Sequence, residues 1–254
     1  MKRGVLPVWM AFFVLFPLLL GGCSLLPSPS PTCRRLSLKT MLSLLRKDAP
    51  TCEYGGFLIR GSVYYFSPRR NFRGFFSLKG NTSFPWIMEI RWSMGNLVSI
   101  GRMDRDGCEV YVPHDNTVYR SRGLSPLFGP MGLFPGLSPY RLLDLLTGEW
   151  KETIPPPWKV LTLEKGGYEL VFKGYFISRM RISTCSSLSS LVITLWPRGG
   201  GGYIRIFPRG KMEFISERGE RTILRIKEIS LFTAPLPLSE LRVSFPPGAK
   251  EKWL

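Results

Sequence analysis

The chain has 254 residues, a formal net charge of +17 and five cysteines, with 44% hydrophobic, 13% aromatic and 21% charged residues. That balance excludes an intrinsically disordered chain and allows one sizeable core, with a single domain as the default at this length. Arginine outnumbers lysine by 23 to 12, an excess suited to anionic partners such as lipid headgroups and lipopolysaccharide phosphates.

At the N-terminus Lys2 and Arg3 precede an almost wholly apolar run from Val5 to Leu20, which ends in Leu20-Gly21-Gly22-Cys23. This is the layout of a bacterial secretory signal, too short and wrongly flanked for a good membrane-spanning helix. Leu-Gly-Gly-Cys resembles the lipobox of bacterial lipoproteins, whose cysteine is acylated and becomes the first mature residue. The resemblance implies a signal peptide over residues 1–22, lipidation of Cys23 and a membrane as partner through that anchor. Ser24 stands where an aspartate commonly retains lipoproteins in the inner membrane, so the implied location is the outer membrane, lipid-anchored and facing the periplasm. Loss of Lys2 and Arg3 with the signal lowers the charge from +17 to +15. In an exported protein nucleic acid is not an expected partner.

Residues 24–32 are rich in proline and serine and read as an extended tether; acylated cysteine and tether together span residues 23–35. One β-rich domain is expected over residues 36–254. Four cysteines remain in it or at its start, Cys33, Cys52, Cys108 and Cys185, an even number that permits two disulfides in an oxidising compartment. Three connectivities are open; Cys33–Cys52 with Cys108–Cys185 is favoured because the first pair would bracket one amphipathic helix. No C-x-x-C occurs and His114 is the single histidine, so no metal site and no cofactor are expected.

From Ser37 the pattern turns helical: Leu38, Met41, Leu42 and Leu45 share one face, Ser37 suits the N-cap, and Pro50 lies past the end. A long series of alternating segments follows. Phe57–Phe66, Phe72–Leu78, Trp86–Trp92, Leu97–Met103, Cys108–Val112 and Thr117–Arg120 are the first candidate strands. Lys159–Leu163, Tyr168–Phe172, Tyr175–Ile182, Ser190–Trp196, Tyr203–Phe207, Lys211–Ser216, Thr222–Ser230 and Leu241–Phe245 complete the set. Gly80-Asn81, Gly95-Asn96, Asp106-Gly107 and Gly166-Gly167 punctuate them, and Gly199–Gly202 reads as a hairpin loop. Short period-2 strands with such turns predict an antiparallel sheet that curls or closes.

One apolar stretch interrupts the strands at residues 123–136. Its Leu124, Leu127, Phe128, Met131, Leu133 and Phe134 must meet the barrel interior, a ligand or a partner, because water is a poor solvent for so much contiguous apolar surface. A short helix is expected next, capped by Ser138, opened by Pro139 and ended by Gly148. Its Leu142, Leu143, Leu145 and Leu146 cover most of the circumference, as a plug or lid over a concave sheet would require.

This pattern resembles the LolA/LolB-type lipoprotein carriers and receptors over roughly residues 36–248. The resemblance rests on the N-terminal amphipathic helix leading into strands and on Ser138-x3-Leu142-x2-Leu145-x2-Gly148 after a Pro-rich apolar loop. It rests also on Val243-Ser244-Phe245-Pro246-Pro247-Gly248, similar to the Phe-x-Phe-x-x-Pro-x-Gly type of ending in that family. It implies a mainly β fold: a curled, incomplete antiparallel β-barrel with one or two short helices packed on its concave face. The anchor matches the receptor, LolB-like branch, whereas the greater length and the four further cysteines depart from it. An apolar cavity for the acyl chains of a lipid or lipoprotein cargo is implied, with the loop residues above and Leu142, Leu143 and Leu146 as its lining.

Enzymatic constellations are not found. Gly123-Leu-Ser-Pro-Leu and Gly136-Leu-Ser-Pro-Tyr lack the last glycine of a nucleophile elbow. His114, after Pro113, reads as a turn residue, and Asp104 with Asp106 as a hairpin turn lacking the remaining ligands of a calcium loop. The expected function is non-enzymatic binding of acyl chains in lipoprotein or lipid localisation to the outer membrane. The alternative is an accessory lipoprotein that docks on an envelope secretion or export assembly as its protein partner.

Overall fold

A computed structural model of the chain describes residues 37–47, 53–68, 71–122, 139–163, 167–183, 192–198 and 201–254. Cys23, the tether, Cys33, Cys52, Cys185 and the apolar stretch 123–136 lie outside the described residues. In chain order the elements are α1 (Leu38–Lys47), β1 (Gly56–Phe66), β2 (Asn71–Asn81), β3 (Trp86–Trp92), β4 (Leu97–Met103), β5 (Cys108–Val112) and β6 (Thr117–Ser121). They continue with α2 (Pro139–Thr147), β7 (Lys159–Thr162), β8 (Tyr168–Val171), β9 (Ile177–Ser183), β10 (Val192–Pro197), β11 (Gly202–Phe207), β12 (Lys211–Ser216), β13 (Arg221–Phe232) and β14 (Lys250–Trp253).

All fourteen strands belong to one sheet, ordered β14-β6-β5-β4-β3-β2-β1-β13-β12-β11-β10-β9-β8-β7. The sheet is curled and unclosed, and the fold is mainly β as the alternation requires, with two short helices among the described residues. Every neighbouring pair is antiparallel except β14 with β6, which run parallel. Meanders of consecutive strands, β1 to β6 and β7 to β13, meet where β1 pairs with β13.

The period of two makes one face predominantly apolar, with the small polar residues Ser99, Thr117, Ser121 and Thr222 buried among its hydrophobic side chains. A transverse row starts at Val63 of β1 and runs through Leu224, Met212, Ile206, Ile193 and Ile182 to Tyr168 of β8. A second row joins Ile59, Leu78, Met88, Gly101 and Val110 in the other half. These residues and the inward faces of both helices form one buried cluster. Trp86 is fully buried there; its indole N–H donates to Asn81 O at 2.6 Å and its ring meets Phe57 edge-on at 5.4 Å. Gly80 is opposite, and a side chain at that position would collide with the Trp86 ring and backbone.

Helix α1 begins as its sequence predicts: the Thr40 N–H donates to Ser37 Oγ at 3.1 Å, an N-cap contact that contributes about 1 kcal/mol. Met41 and Leu45 are buried, with Leu38 and Leu42 packed against the same core.

The C-terminal segment differs from expectation. Residues 241–245 are not a strand: a 3-10 turn at Leu238–Leu241 leads into extended chain, and the last strand is Lys250–Trp253. Pro235, Pro237, Pro246 and Pro247 flank the segment, and since each lacks the N–H a ladder needs, no strand extends through either side of it. The segment instead crosses the outer face of the sheet. Leu236 N–H donates to Asn81 Oδ1 at 2.7 Å, Leu241 is buried, and Phe245 lies against Tyr111 with ring centroids 6.3 Å apart. Lys250 N–H then donates to Asn116 O at 2.9 Å and seats β14 beside β6.

Candidate functional site: the concave face and its leucine helix

Helix α2 lies on the apolar face of the curled sheet. Pro139 opens it, its fixed φ and missing N–H being harmless at the first helical position. Gly148 closes it at φ 90, and its N–H donates to Asp144 O at 2.9 Å. Between them Leu142, Leu143, Leu145 and Leu146 are each 4% exposed or less and join the core cluster. The three helix residues expected to face an apolar interior, Leu142, Leu143 and Leu146, are therefore together and buried. The six expected loop residues, Leu124, Leu127, Phe128, Met131, Leu133 and Phe134, lie outside the described residues.

Three contributors were not singled out in the sequence. Trp150, in the 3-10 turn Glu149–Lys151, and Ile154 beyond it are buried in the same cluster. The signal for Trp150 was present, since Leu142, Leu146 and Trp150 recur every four residues. Tyr175, in the β8–β9 connection, holds the turn: its O–H donates to Trp150 O at 3.3 Å and lies 3.3 Å from Thr153 Oγ1. Contacts of this kind join residues distant in the chain and leave no local pattern.

The polar side of α2 is held from outside. The Arg141 guanidinium lies 4.4 Å over the Phe176 ring and donates to Asp144 Oδ2 at 3.0 Å. Burial raises the Asp144 carboxyl above its ordinary value of 3.8, against the opposing pull of Arg141. The Tyr54 phenol is pushed well up, by burial first and then by the neighbouring Glu149 carboxylate. These ionisable groups rim the helix; the surface between helix and sheet is hydrocarbon and aromatic. What such a surface can offer a ligand is burial of apolar groups.

Cys108, one of the four expected disulfide partners, lies on the apolar face at 4% exposure. Its thiol is pushed up to about 12, by burial and then by Glu109. Its favoured partner Cys185 and the pair Cys33–Cys52 lie outside the described residues. His114 belongs to an exposed 3-10 turn, Pro113–Asp115, with Nδ1 2.9 Å from Asp115 Oδ1. Asp104 sits in the β4–β5 hairpin, where its N–H donates to Gly107 O at 2.8 Å and its carboxylate pairs with Arg102 at 3.1 Å. Among the described residues no group of three or more His, Cys, Asp or Glu is placed to hold a metal ion. Among them, too, no helix is long and apolar enough to cross a membrane.

The class these features define is an open, curled β-barrel with helices on its concave side. No protein-family model matches the chain, and no curated protein matches it. Among solved structures it is similar to a LolA superfamily protein from Nitrosomonas europaea, at 10% identity and a TM-score of 0.45 over 82% of this chain and 98% of that one. It is also similar to a domain described as an outer membrane lipoprotein-sorting protein from Vibrio parahaemolyticus, at 13% identity and a TM-score of 0.42 over 79% and 94%. A DUF1329 family protein from Desulfovibrio piger gives 12% identity and a TM-score of 0.44 over 76% and 92%. LolA superfamily proteins are thus among the structural neighbours of the chain, at low identity.

Proposed function

We propose that the chain is a membrane-anchored bacterial lipoprotein whose concave face shelters acyl chains of lipids or lipoproteins, in their localisation to the outer membrane, without catalysing a reaction. The observation that carries this reading is the four buried leucines of α2 on a predominantly apolar wall. A leucine-lined helix and an acyl chain present the same chemistry to that wall. An acyl chain can lie between helix and wall once the helix lifts, with α2 closing over it as a lid, and each methylene sheltered from water contributes about 0.8 kcal/mol. Polar ties of α2 and the turn after it, from Arg141, Tyr54 and Tyr175, lie at the helix margins. The site therefore consists of Leu142, Leu143 and Leu146, with Leu124, Leu127, Phe128, Met131, Leu133 and Phe134 from the preceding segment, and Cys23 supplies the anchor.

A test follows from placing a charge on the helix face that meets the apolar wall. Leu143→Glu or Leu146→Glu should abolish binding of an apolar fluorescent probe in a variant that keeps its circular dichroism and a cooperative melt. Mass spectrometry of an organic extract of the wild-type protein should find a co-purified lipid. A wild type that yields no lipid and binds no probe would sink the carrier reading. The accessory-docking reading would then be favoured by β7, the end strand of the sheet among the described residues, where Trp158, Val160 and Leu161 are 63%, 41% and 40% exposed.

A further inference from the structure

The outer wall of the sheet carries a second feature, unrelated to the apolar face. At the junction of β13, β1 and β2 a cavity of about 460 Å³ opens to solvent. Four of its ten lining residues are cationic, Arg73, Arg209, Arg225 and Lys227, and none is acidic. The register shows how they converge. Tyr64 of β1 pairs with Arg73 of β2, and its neighbour Ser62 pairs with Arg225 of β13, so two arginines flank one tyrosine from opposite sides. Both guanidinium groups lie over that ring, at 5.4 Å and 5.6 Å from its centroid. A bulge between β1 and β13 supplies the third cation. Arg60 pairs with Glu228 and Gly61 with Ile226, which leaves Lys227 as the extra residue. Without the bulge, strict alternation would not leave Lys227 and Glu228 both on the outer wall. Lys227 Nζ lies 5.2 Å from the Phe75 ring centroid. Arg209 enters from the turn before β12 in the left-handed conformation, φ 61, and the carbonyl of the adjacent Gly210 accepts the Ile226 N–H at 2.9 Å.

Elsewhere on this wall the cations near a carboxylate are paired with it. Glu213 is buried between Lys211 and Arg221 at 2.8 Å and 2.7 Å; Glu169 lies 2.7 Å from Arg181; Arg60 holds Glu228 at 3.3 Å. The cavity has aromatic rings where those sites have carboxylates. The Tyr64 ring holds Arg73 and Arg225 near one another and supplies no full negative charge to neutralise them. Guanidinium groups, an ammonium group and the serines Ser62 and Ser93 then line one opening, a set of donors that can accept a tetrahedral oxyanion through several charge-assisted hydrogen bonds.

We propose that this cavity is an anion site for a phosphate group, built by Arg73, Arg209, Arg225 and Lys227 around Tyr64 and Phe75. It stands apart from the acyl reading of the concave face, and neither depends on the other. The phosphate chemistry has two sources, a phospholipid headgroup or a free phosphate anion, and two arms of one experiment separate them.

The first arm is calorimetric titration of the purified full chain with inorganic phosphate at low ionic strength. The second is flotation with phosphatidylglycerol vesicles and with phosphatidylcholine vesicles; the difference between them cancels any contribution of the N-terminal anchor. The test variant is Arg73→Gln with Arg225→Gln. The control is Arg179→Gln with Arg205→Gln, which removes the same charge from the same wall outside the cavity. Removing one charge-assisted hydrogen bond should weaken binding about tenfold or more. The test variant should thus bind phosphate about a hundredfold more weakly, while the control stays within about twofold and both keep the wild-type melting curve. Loss of the anionic-vesicle increment together with phosphate binding identifies a lipid headgroup as the source. Loss of phosphate binding with that increment unchanged identifies a free anion. Equal losses in test and control, or no phosphate binding and no anionic-vesicle increment in the wild type, overturn the proposal and reduce the cluster to net basicity. Apolar-probe binding should stay unchanged in every variant, so failure of this site is distinguishable from failure of the acyl reading.

Discussion

Removing one hydroxyl from the margin of α2 tests whether the helix opens apart from the sheet. Tyr175→Phe keeps the ring and its contacts with Phe172 and Phe176, at centroid distances of 5.6 Å and 4.6 Å. It deletes only the O–H donated to Trp150 O at 3.3 Å and the contact with Thr153 Oγ1. Such a hydrogen bond contributes about 0.5–1.5 kcal/mol net. Trp150 O still accepts from Thr153 Oγ1 at 3.3 Å, so the loss should lie in the lower half of that range. If α2 is a plug that undocks, this loss acts on the docked state alone. The undocked population should rise by about two- to fivefold, since 1.4 kcal/mol corresponds to a factor of ten. A binding-competent state that is rarely populated lowers apparent affinity in proportion, so apolar-probe affinity should increase by the same factor. Hydrogen exchange should report it as well: amides of α2, including Gly148 N–H, should exchange faster while those of β1 and β13 stay unchanged. The reasoning is refuted if α2 exchanges only together with the central strands, because the helix then opens only by global unfolding. It is refuted equally if α2 exchange accelerates and probe affinity does not follow.

Two further outcomes are expected. Cys23→Ser should abolish incorporation of radiolabelled palmitate and membrane attachment; a variant that still labels would refute the lipobox reading. Asp144, whose carboxyl is raised chiefly by burial, binds its proton more tightly in the fold than in the unfolded chain. Its contribution to stability is therefore complete below the ordinary value of 3.8 and is lost as pH rises through the raised one. Asp144→Asn should accordingly melt above the wild type at neutral pH, with the difference vanishing in acid. An advantage that grows on acidification would contradict the sign. Glu213 runs the other way: burial tends to raise its carboxyl, but Lys211 and Arg221 outweigh that and lower it. Comparing wild type with variant at each pH cancels this opposing contribution.

The strands were legible in the chain because alternation is local. Trp86–Trp92, Leu97–Met103, Cys108–Val112 and Lys211–Ser216 have in the structure the bounds the pattern predicts, and the others agree to within a few residues, except Leu241–Phe245, which is not a strand. Both helix ends were legible for the same reason: a serine before α1 and a glycine after α2 act within one turn. The concave leucines were legible too, since four of them on nine helical residues require burial on more than one side.

What the tertiary structure decided is everything set by partners far apart in the chain. Pairing of β1 with β13 joins residues more than 150 positions apart, and the bulge that turns Lys227 outward exists only in that pairing. The strand at Lys250–Trp253 has no apolar alternation, and it forms because β6 offers it an edge. The anion cavity escaped the sequence altogether: Arg73 lies on β2, Arg225 and Lys227 on β13 and Arg209 in a turn, with no motif connecting the three segments. Local propensity reports what a segment prefers within a few residues. Register, edge pairing and convergence of charge are properties of contacts between segments, and only the folded sheet brings those segments together.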